Sequence, residues 1–247
     1  MSEVTTLIEA ILSGFESGLS TVLDQWNHSI VSVASSKGIL SDGPKVKSTI
    51  SARAEIKRQL SLLGYDRLLN DLMASYDDVY KEVANEVTSE VGESIGRLNT
   101  NLIRSLREMD YTFLSELGNA SVRAVSDAVT RNAIAGTPRS QLVIKVAREL
   151  ELFKQHAMTY IDTALVTYDR TVKVELLQKA GVTKFRYSGP KDVKSRAFCL
   201  SHVGNVYTKA QILRMHNGTK LMPVLIYGGG WNCRHTWTAA ALPKRVA

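Results

Sequence analysis

The segment DDVYKEVANEVTSEV, residues 77–91, contains the pattern that decides the fold. Valine recurs at every fourth position from Val79 to Val91, and polar or charged residues fill most of the positions between. Residues three and four apart lie on one face of an α-helix, so the valines form an apolar stripe. The stripe continues at helical spacing through Ile95, Leu98, Leu102, Leu106, Met109, Phe113 and Leu117.

This stripe predicts one or two long helices from about Asp66 to Ala135, with a break near Gly92–Gly96 or at Gly118. A helix of more than 50 residues needs a partner along its length, which is a neighbouring helix, a second copy of the chain or a surface. Helical spacing also predicts helices over Thr5–Ser36, over about Lys45–Leu63, and from Pro138, with Thr137 as its cap, through Ile161 toward Lys179.

The composition is that of an ordinary folded protein, with 247 residues, 44% of them hydrophobic and 22% charged. These values exclude a disordered or low-complexity chain. The apolar runs are far shorter than the roughly 20 residues that cross a bilayer, so we expect no membrane span.

The charge is concentrated at one end of the chain. Residues 1–181 contain 20 Lys and Arg against 23 Asp and Glu, whereas residues 182–247 contain 11 Lys and Arg against Asp192 alone. A module with a charge of +10 attracts a polyanion, of which nucleic acid is the commonest. A basic surface that keeps the module in solution, or one that meets an acidic protein, is the alternative interpretation.

The helical spacing of apolar residues ends at about Gly181. Alternation over 182–187 predicts a strand, Thr208 is placed to cap a short helix, and 219–227 and 236–241 are expected to be a further extended segment and a last apolar piece. The predicted fold is therefore mainly α, with a long-helical, coiled-coil-like body at 1–181 and a small basic α+β module at 182–247.

Both cysteines and three of the five histidines follow position 198. Cys199 and His202 are three apart, and Cys233 and His235 are two apart. Thiolate and imidazole are the ligands that tetrahedral zinc prefers, and a small module gains most from a structural metal. Three interpretations stay open here: a zinc site of these four residues, two buried thiols with structural histidines, or a Cys199–Cys233 disulfide.

A catalytic interpretation uses the same residues. Cys199 is a candidate nucleophile with His202 or His235 as its base, and Asp192 is placed to orient that base. However, Asp192 is the module's only acid, and no glycine-rich phosphate loop lies between a strand and a helix. We therefore expect a protein that is not an enzyme.

The order of these residues resembles a known family. Tyr187-x-Gly189, Asp192, Arg196, Cys199, His202, the turn at 204–207, and the closing Gly-Gly-Trp-Asn-Cys-Arg-His-x-Trp at 229–237 resemble the C-terminal domain of the Mu F-like minor head proteins of tailed bacteriophages, also called head morphogenesis or minor capsid proteins. The resemblance covers about residues 182–240. Asn205 stands where Lys is common in the family, and His202 and His235 stand where many members have Cys.

The resemblance implies a virion component that is present in few copies, and we expect a homo-oligomer or several copies in the virion. Such a protein assembles with the portal protein or the major capsid protein, in the capsid interior or at the portal vertex, after a stage in the host cytoplasm. It lies close to packaged double-stranded DNA, and a DNA-binding virion protein that is ejected with the genome is the alternative. Arg234 is expected to pair with Asp192. The candidate DNA contacts are Lys184, Arg186, Lys191, Lys194, Arg196, Lys209, Arg214, Lys220, Lys244 and Arg245.

Overall fold

A computed structural model describes residues 2–36, 46–92, 100–136 and 138–241. Within these ranges the chain is mainly α-helical, with a small sheet near its C-terminal end, as the sequence predicts. The long helices are α1 (Glu3–Ser36), α2 (Val46–Leu62), α3 (Tyr65–Val91), α4 (Thr100–Ala135) and α5 (Arg139–Lys179). The later elements are β1 (Lys184–Ser188), α6 (Ala197–His202), β2 (Val206–Thr208), α7 (Lys209–Ile212), α8 (Val224–Tyr227) and β3 (Thr236–Ala239).

The valine stripe of residues 77–91 forms the buried face of α3. Val79, Val83 and Val87 are fully buried. The helix ends at Val91, and Gly92 has a φ of 77°, a left-handed conformation that favours glycine. The predicted break near Gly92–Gly96 is therefore confirmed at Gly92. Residues 93–99 lie outside the described residues, and so does the predicted cap, Thr137.

The predicted break at Gly118 is wrong, because this glycine lies inside α4. A Cβ atom at Gly118 would lie 2.6 Å from the Tyr65 ring, so the missing side chain makes room for an aromatic neighbour. The Tyr65 hydroxyl donates a 2.7 Å hydrogen bond to the carbonyl of Leu114 on the same helix.

The chain forms two compact units, and α1, α3, α4 and α5 contribute to both. One unit comprises Leu12–Met73 and Met109–Met158. It is organised around large buried side chains: Trp26 donates a hydrogen bond of 3.0 Å to the carbonyl of Ile56, and the ring of Tyr65 packs edge to face on that of Phe153.

The other unit comprises Met1–Ile11, Ala74–Glu108 and Thr159–Ala247. Its helices are joined by a 2.6 Å salt bridge between the buried Lys173 and Glu86. Its sheet is tied to α3 by a 2.7 Å hydrogen bond from the Ala239 amide to the Glu90 carboxylate. The residues of the predicted module lie in this unit with the second half of α5, and the predicted domain boundary at Gly181 stays a prediction.

The sheet is antiparallel with the order β2-β1-β3, so β1 is its central strand. Along β1, Phe185 and Tyr187 are buried while Lys184 and Arg186 are exposed, which is the alternation that predicted the strand. Tyr187 is paired with Trp237 of β3, and the two rings pack on each other.

Two local predictions in this region have opposite outcomes. The cap at Thr208 is confirmed, because its hydroxyl accepts a hydrogen bond from the amide of Gln211, whose side chain accepts one from the Thr208 amide. The extended segment predicted for residues 219–227 is wrong, since 224–227 form α8. The side chain of Asn217 holds this loop in place by donating hydrogen bonds to the carbonyls of Leu221 and Gly228.

The described helices include none that is both long enough and apolar enough to cross a membrane.

Candidate metal centre

Three of the four predicted metal ligands lie together. The ligand atoms of Cys199, Cys233 and His235 are all within 4.8 Å of one another, and all three residues are buried. Cys199 is on the short helix α6, while Cys233 and His235 lie between α8 and β3. Two thiols and one imidazole at this spacing form a group that can hold a metal ion.

The two sulfurs lie 3.8 Å apart, and both cysteines are free. The disulfide alternative therefore does not describe this structure. Two thiolates that share one tetrahedral ion at about 2.3 Å are separated by about 3.8 Å, and the observed spacing of the two sulfurs matches this value. The Nδ1 atom of His235 is likewise 3.8 Å from the Cys233 sulfur.

The orientation of His235 leaves one ring nitrogen available as a ligand. Its Nε2 lies 2.9 Å from the carbonyl oxygen of Pro190, which can only accept a hydrogen bond. The ring therefore carries its proton on Nε2, and the lone pair on Nδ1 faces the sulfurs. A backbone carbonyl bound to the far nitrogen is the usual way in which proteins orient a metal-binding histidine.

Hydrogen bonds favour a thiolate at Cys233. The bond from the Cys199 thiol lowers the pKa of Cys233, and the hydrogen bond from the Tyr187 hydroxyl and the charge of Arg170 lower it further, while burial opposes the shift. The same bond, together with burial, raises the pKa of Cys199. The backbone amide of Gly229 also donates to the Cys233 sulfur, at 3.1 Å. These contacts favour the Cys233 sulfur as the acceptor of the hydrogen bond between the two cysteines.

Glycines surround the cluster because side chains would not fit. A Cβ atom at Gly229 would lie 2.4 Å from the Cys199 sulfur, and one at Gly189 would lie 2.5 Å from the His235 ring. The sequence identifies Gly228–Gly230 only as a loop, whereas the structure shows that the backbone there packs directly against the sulfurs.

Arg170 supports the cluster and was missed by the sequence interpretation. It lies in the C-terminal half of α5 and is 1% exposed. Its guanidinium donates to the carbonyl of His235 at 2.5 Å, to that of Ile226 at 3.1 Å, and to that of Cys233. The side chain of Arg170 thus holds the backbone at both Cys233 and His235 in place. A long helical stretch with regular apolar spacing offers no signal that distinguishes this arginine.

His202 is not part of the group, which corrects the predicted set of four ligands. It is half-buried, its Nδ1 lies 2.7 Å from the hydroxyl of Tyr207, and its ring packs against Phe198. Burial lowers the pKa of His202. Its position at the end of α6 directs it to β2 rather than to the sulfurs.

The predicted pair of Arg234 and Asp192 is confirmed. Two parallel hydrogen bonds of 2.8 and 2.6 Å join the guanidinium to the carboxylate. Asp192 also accepts from the Lys194 amide and the Ser195 hydroxyl, at 3.0 and 3.1 Å. The catalytic interpretation assigned Asp192 to orient a histidine, and these partners do not include one.

Most of the predicted DNA contacts are exposed. Lys209 is half-buried and donates to Gln178 at 2.9 Å, while Lys244 and Arg245 lie outside the described residues. Two of the exposed arginines contact carbonyls, Arg186 that of Gly204 and Arg196 that of Trp231. The exposed set is Lys184, Arg186, Lys191, Lys194, Arg196, Arg214 and Lys220.

Comparison with family models, curated proteins and solved structures found no match for the chain.

Proposed function

We propose that this chain is a structural minor capsid and head morphogenesis protein of a tailed bacteriophage. The helical body associates with the portal protein or with the inner capsid wall. The basic module, stabilised by a metal centre, lies next to the packaged double-stranded DNA. The proposed places are the capsid interior or the portal vertex, with several copies per particle.

The observation that carries the proposal is the convergence of the resembling residues. Cys199, Cys233 and His235 form one buried cluster, and the Arg234–Asp192 pair lies beside it. Cys199 and Cys233 are 34 positions apart and Asp192 and Arg234 are 42 apart, yet all of them belong to a single local structure. A motif whose members meet in this way supports a shared fold with Mu F-like domains.

Zinc is the ion that we assign to the cluster. Thiolates and imidazoles are the usual ligands of zinc in structural sites, and a small module gains most from such a cross-link. Zinc would hold α6 to the chain before β3 through Cys199, Cys233 and His235. When bound, it supplies a cross-link and no reaction.

Elemental analysis and chelation test this assignment. We expect one zinc per purified chain, lost in Cys233→Ser together with a fall in the melting temperature. His216→Ala is the matched control, because His216 is exposed in the same module, and this variant should keep the ion. A folded wild-type chain without bound metal after exposure to excess zinc would contradict the assignment.

The structural role is tested on particles of the phage that encodes the chain. Mass spectrometry of purified virions should detect the protein, and co-expression with the portal and major capsid proteins should give a complex with one of them. Absence from virions, together with no complex with either protein, would overturn the proposal. A particle reconstruction at the portal vertex would then give its position and copy number.

A DNA-binding virion protein is the second candidate, and the seven predicted DNA contacts that are exposed favour it. The affinity of the full chain for mixed-sequence duplex DNA should fall as salt rises. Changing Lys184 and Arg186 together to Ala should lower the logarithmic salt slope by about 2, whereas Arg148→Ala, on the exposed side of α5, should not. An affinity that does not change with salt would exclude this candidate.

A further inference from the structure

The hydroxyl of Tyr187 lies next to both sulfurs of the candidate metal centre. Tyr187 is 0% exposed on the central strand β1. Its hydroxyl oxygen lies 3.4 Å from the Cys233 sulfur and 3.6 Å from the Cys199 sulfur. Around a tetrahedral zinc with Zn–S of about 2.3 Å and Zn–O of about 2.0 Å, an oxygen and a sulfur ligand are about 3.5 Å apart. Both observed oxygen–sulfur distances are close to this expected distance between two ligands.

The surroundings leave little room for water as the fourth ligand. The three ligands are each at most 3% exposed, and Gly228, Gly229 and Gly230 are buried beside them. A Cβ atom at Gly228 would lie 3.0 Å from the Cys233 sulfur and 3.1 Å from the Tyr187 hydroxyl. The fourth donor is therefore expected to come from the protein, and His202 is engaged with Tyr207 instead.

The charges of the site are compatible with an anionic oxygen. Arg170 places a buried positive charge beside Cys233, bonded to its carbonyl. A divalent ion at coordination distance would itself favour a deprotonated oxygen ligand.

We propose that Tyr187, rather than His202, is the fourth metal ligand, completing a set of two sulfurs, one nitrogen and one phenolate oxygen. On binding, the oxygen–metal bond forms, the phenol O–H bond breaks, and the proton passes to solvent. This inference rests on the proposed metal centre. It makes the chain's own β1 strand part of the cross-link, so the ion would join α6, β1 and the segment before β3.

Near-ultraviolet difference spectroscopy of the full chain during zinc titration tests the inference. An ionised tyrosine absorbs at longer wavelength than a neutral one, and at pH 7 free tyrosines are protonated. We expect the band of one tyrosinate per zinc, absent in Tyr187→Phe and retained in Tyr207→Phe. The zinc affinity of Tyr187→Phe should fall by more than about 100-fold, beyond the cost of removing an outer hydrogen bond.

The outcomes separate the two proposals. A wild-type chain that binds one zinc without a tyrosinate band overturns the role of Tyr187 and leaves the metal centre intact, and this measurement needs no variant to fold. Loss of zinc in His202→Ala with full retention in Tyr187→Phe would also overturn it. A chain that binds no zinc overturns the metal centre and, with it, the ligand assignment.

Discussion

Arg234 holds Asp192 in a two-pronged ion pair across 42 positions of the chain, with both side chains partly exposed. The hydrogen bonds from Arg234, followed by those from Ser195 and the Lys194 amide, hold the pKa of Asp192 well below its usual range. The pair closes the loop that carries Cys233 and His235 against the segment before α6. It is therefore part of the frame of the candidate metal centre.

Replacing Asp192 should destabilise the chain in a pH-dependent manner. A carboxyl whose pKa is lowered by folding stabilises the fold above its unfolded pKa of about 3.9, and this contribution is lost as the pH falls through the lowered value. Asp192→Asn should thus have a lower urea midpoint than wild type at pH 7, and the gap should shrink near pH 2 and in high salt. Asp127→Asn, an exposed carboxyl on α4, serves as the control. An equal gap at both pH values would show that the pair does not stabilise the fold.

Replacing Arg170 should destabilise the chain more than most substitutions in the helices. Arg170→Met leaves three carbonyls without their donor, which should lower the free energy of unfolding by at least about 3 kcal/mol. Arg170→Lys keeps the charge but cannot span the three acceptors, so its loss should be intermediate. Urea unfolding of the full chain measures both variants. Arg148→Met, exposed on the same helix, should change stability by less than about 0.5 kcal/mol, and a similar small change at Arg170 would contradict this account.

Gly229 and Gly14 should respond in opposite directions to alanine. At Gly229 the new methyl group would overlap the Cys199 sulfur, so we expect reduced zinc binding and reduced stability. At Gly14, on the exposed side of α1, nothing lies within 4 Å of the new atom, and alanine should stabilise the helix by about 0.5–1 kcal/mol. Calorimetric melting with and without zinc compares the two. Normal zinc binding by Gly229→Ala would show that the backbone there can move away from the sulfur.

Asp169 should give the chain a weakly acidic stability optimum. Burial raises its pKa to about 6, although Lys173 and Arg170 oppose the shift and Glu86 adds to it. A carboxyl whose pKa is raised by folding stabilises the protein when protonated, so stability should fall between about pH 4 and pH 6, by about 2–3 kcal/mol.

Asp169→Asn should remove most of that fall, because the amide does not ionise. Urea midpoints at pH 4.5 and pH 7.5 would show the difference. Asp71→Asn, exposed on α3, should keep the wild-type pH dependence. If Asp169→Asn kept the wild-type dependence of stability on pH, that dependence would come from another group.

Local patterns were sufficient for several parts of this structure. The recurrence of valine at every fourth position predicted α3, because helical geometry brings such residues to one face whatever surrounds them. The alternation of 182–187 predicted β1 and its exposed cations for the equivalent reason. The Arg234–Asp192 pair was predictable because Asp192 is the only acid in a strongly basic region.

The candidate metal ligands, by contrast, were only partly predictable, since residue type does not reveal the direction of a side chain. His202 and His235 are both two or three positions from a cysteine, yet α6 turns His202 toward Tyr207, whereas the loop before β3 turns His235 toward the sulfurs. Arg170 and Tyr187 reach the site from α5 and β1 through contacts between residues 46 to 65 positions apart.

The sequence by itself determined the helical body, the strand pattern and the excess of positive charge, since each depends on neighbours along the chain. Only the tertiary structure decided which side chains meet around the two sulfurs, because that depends on how distant segments pack and on which glycines leave them space.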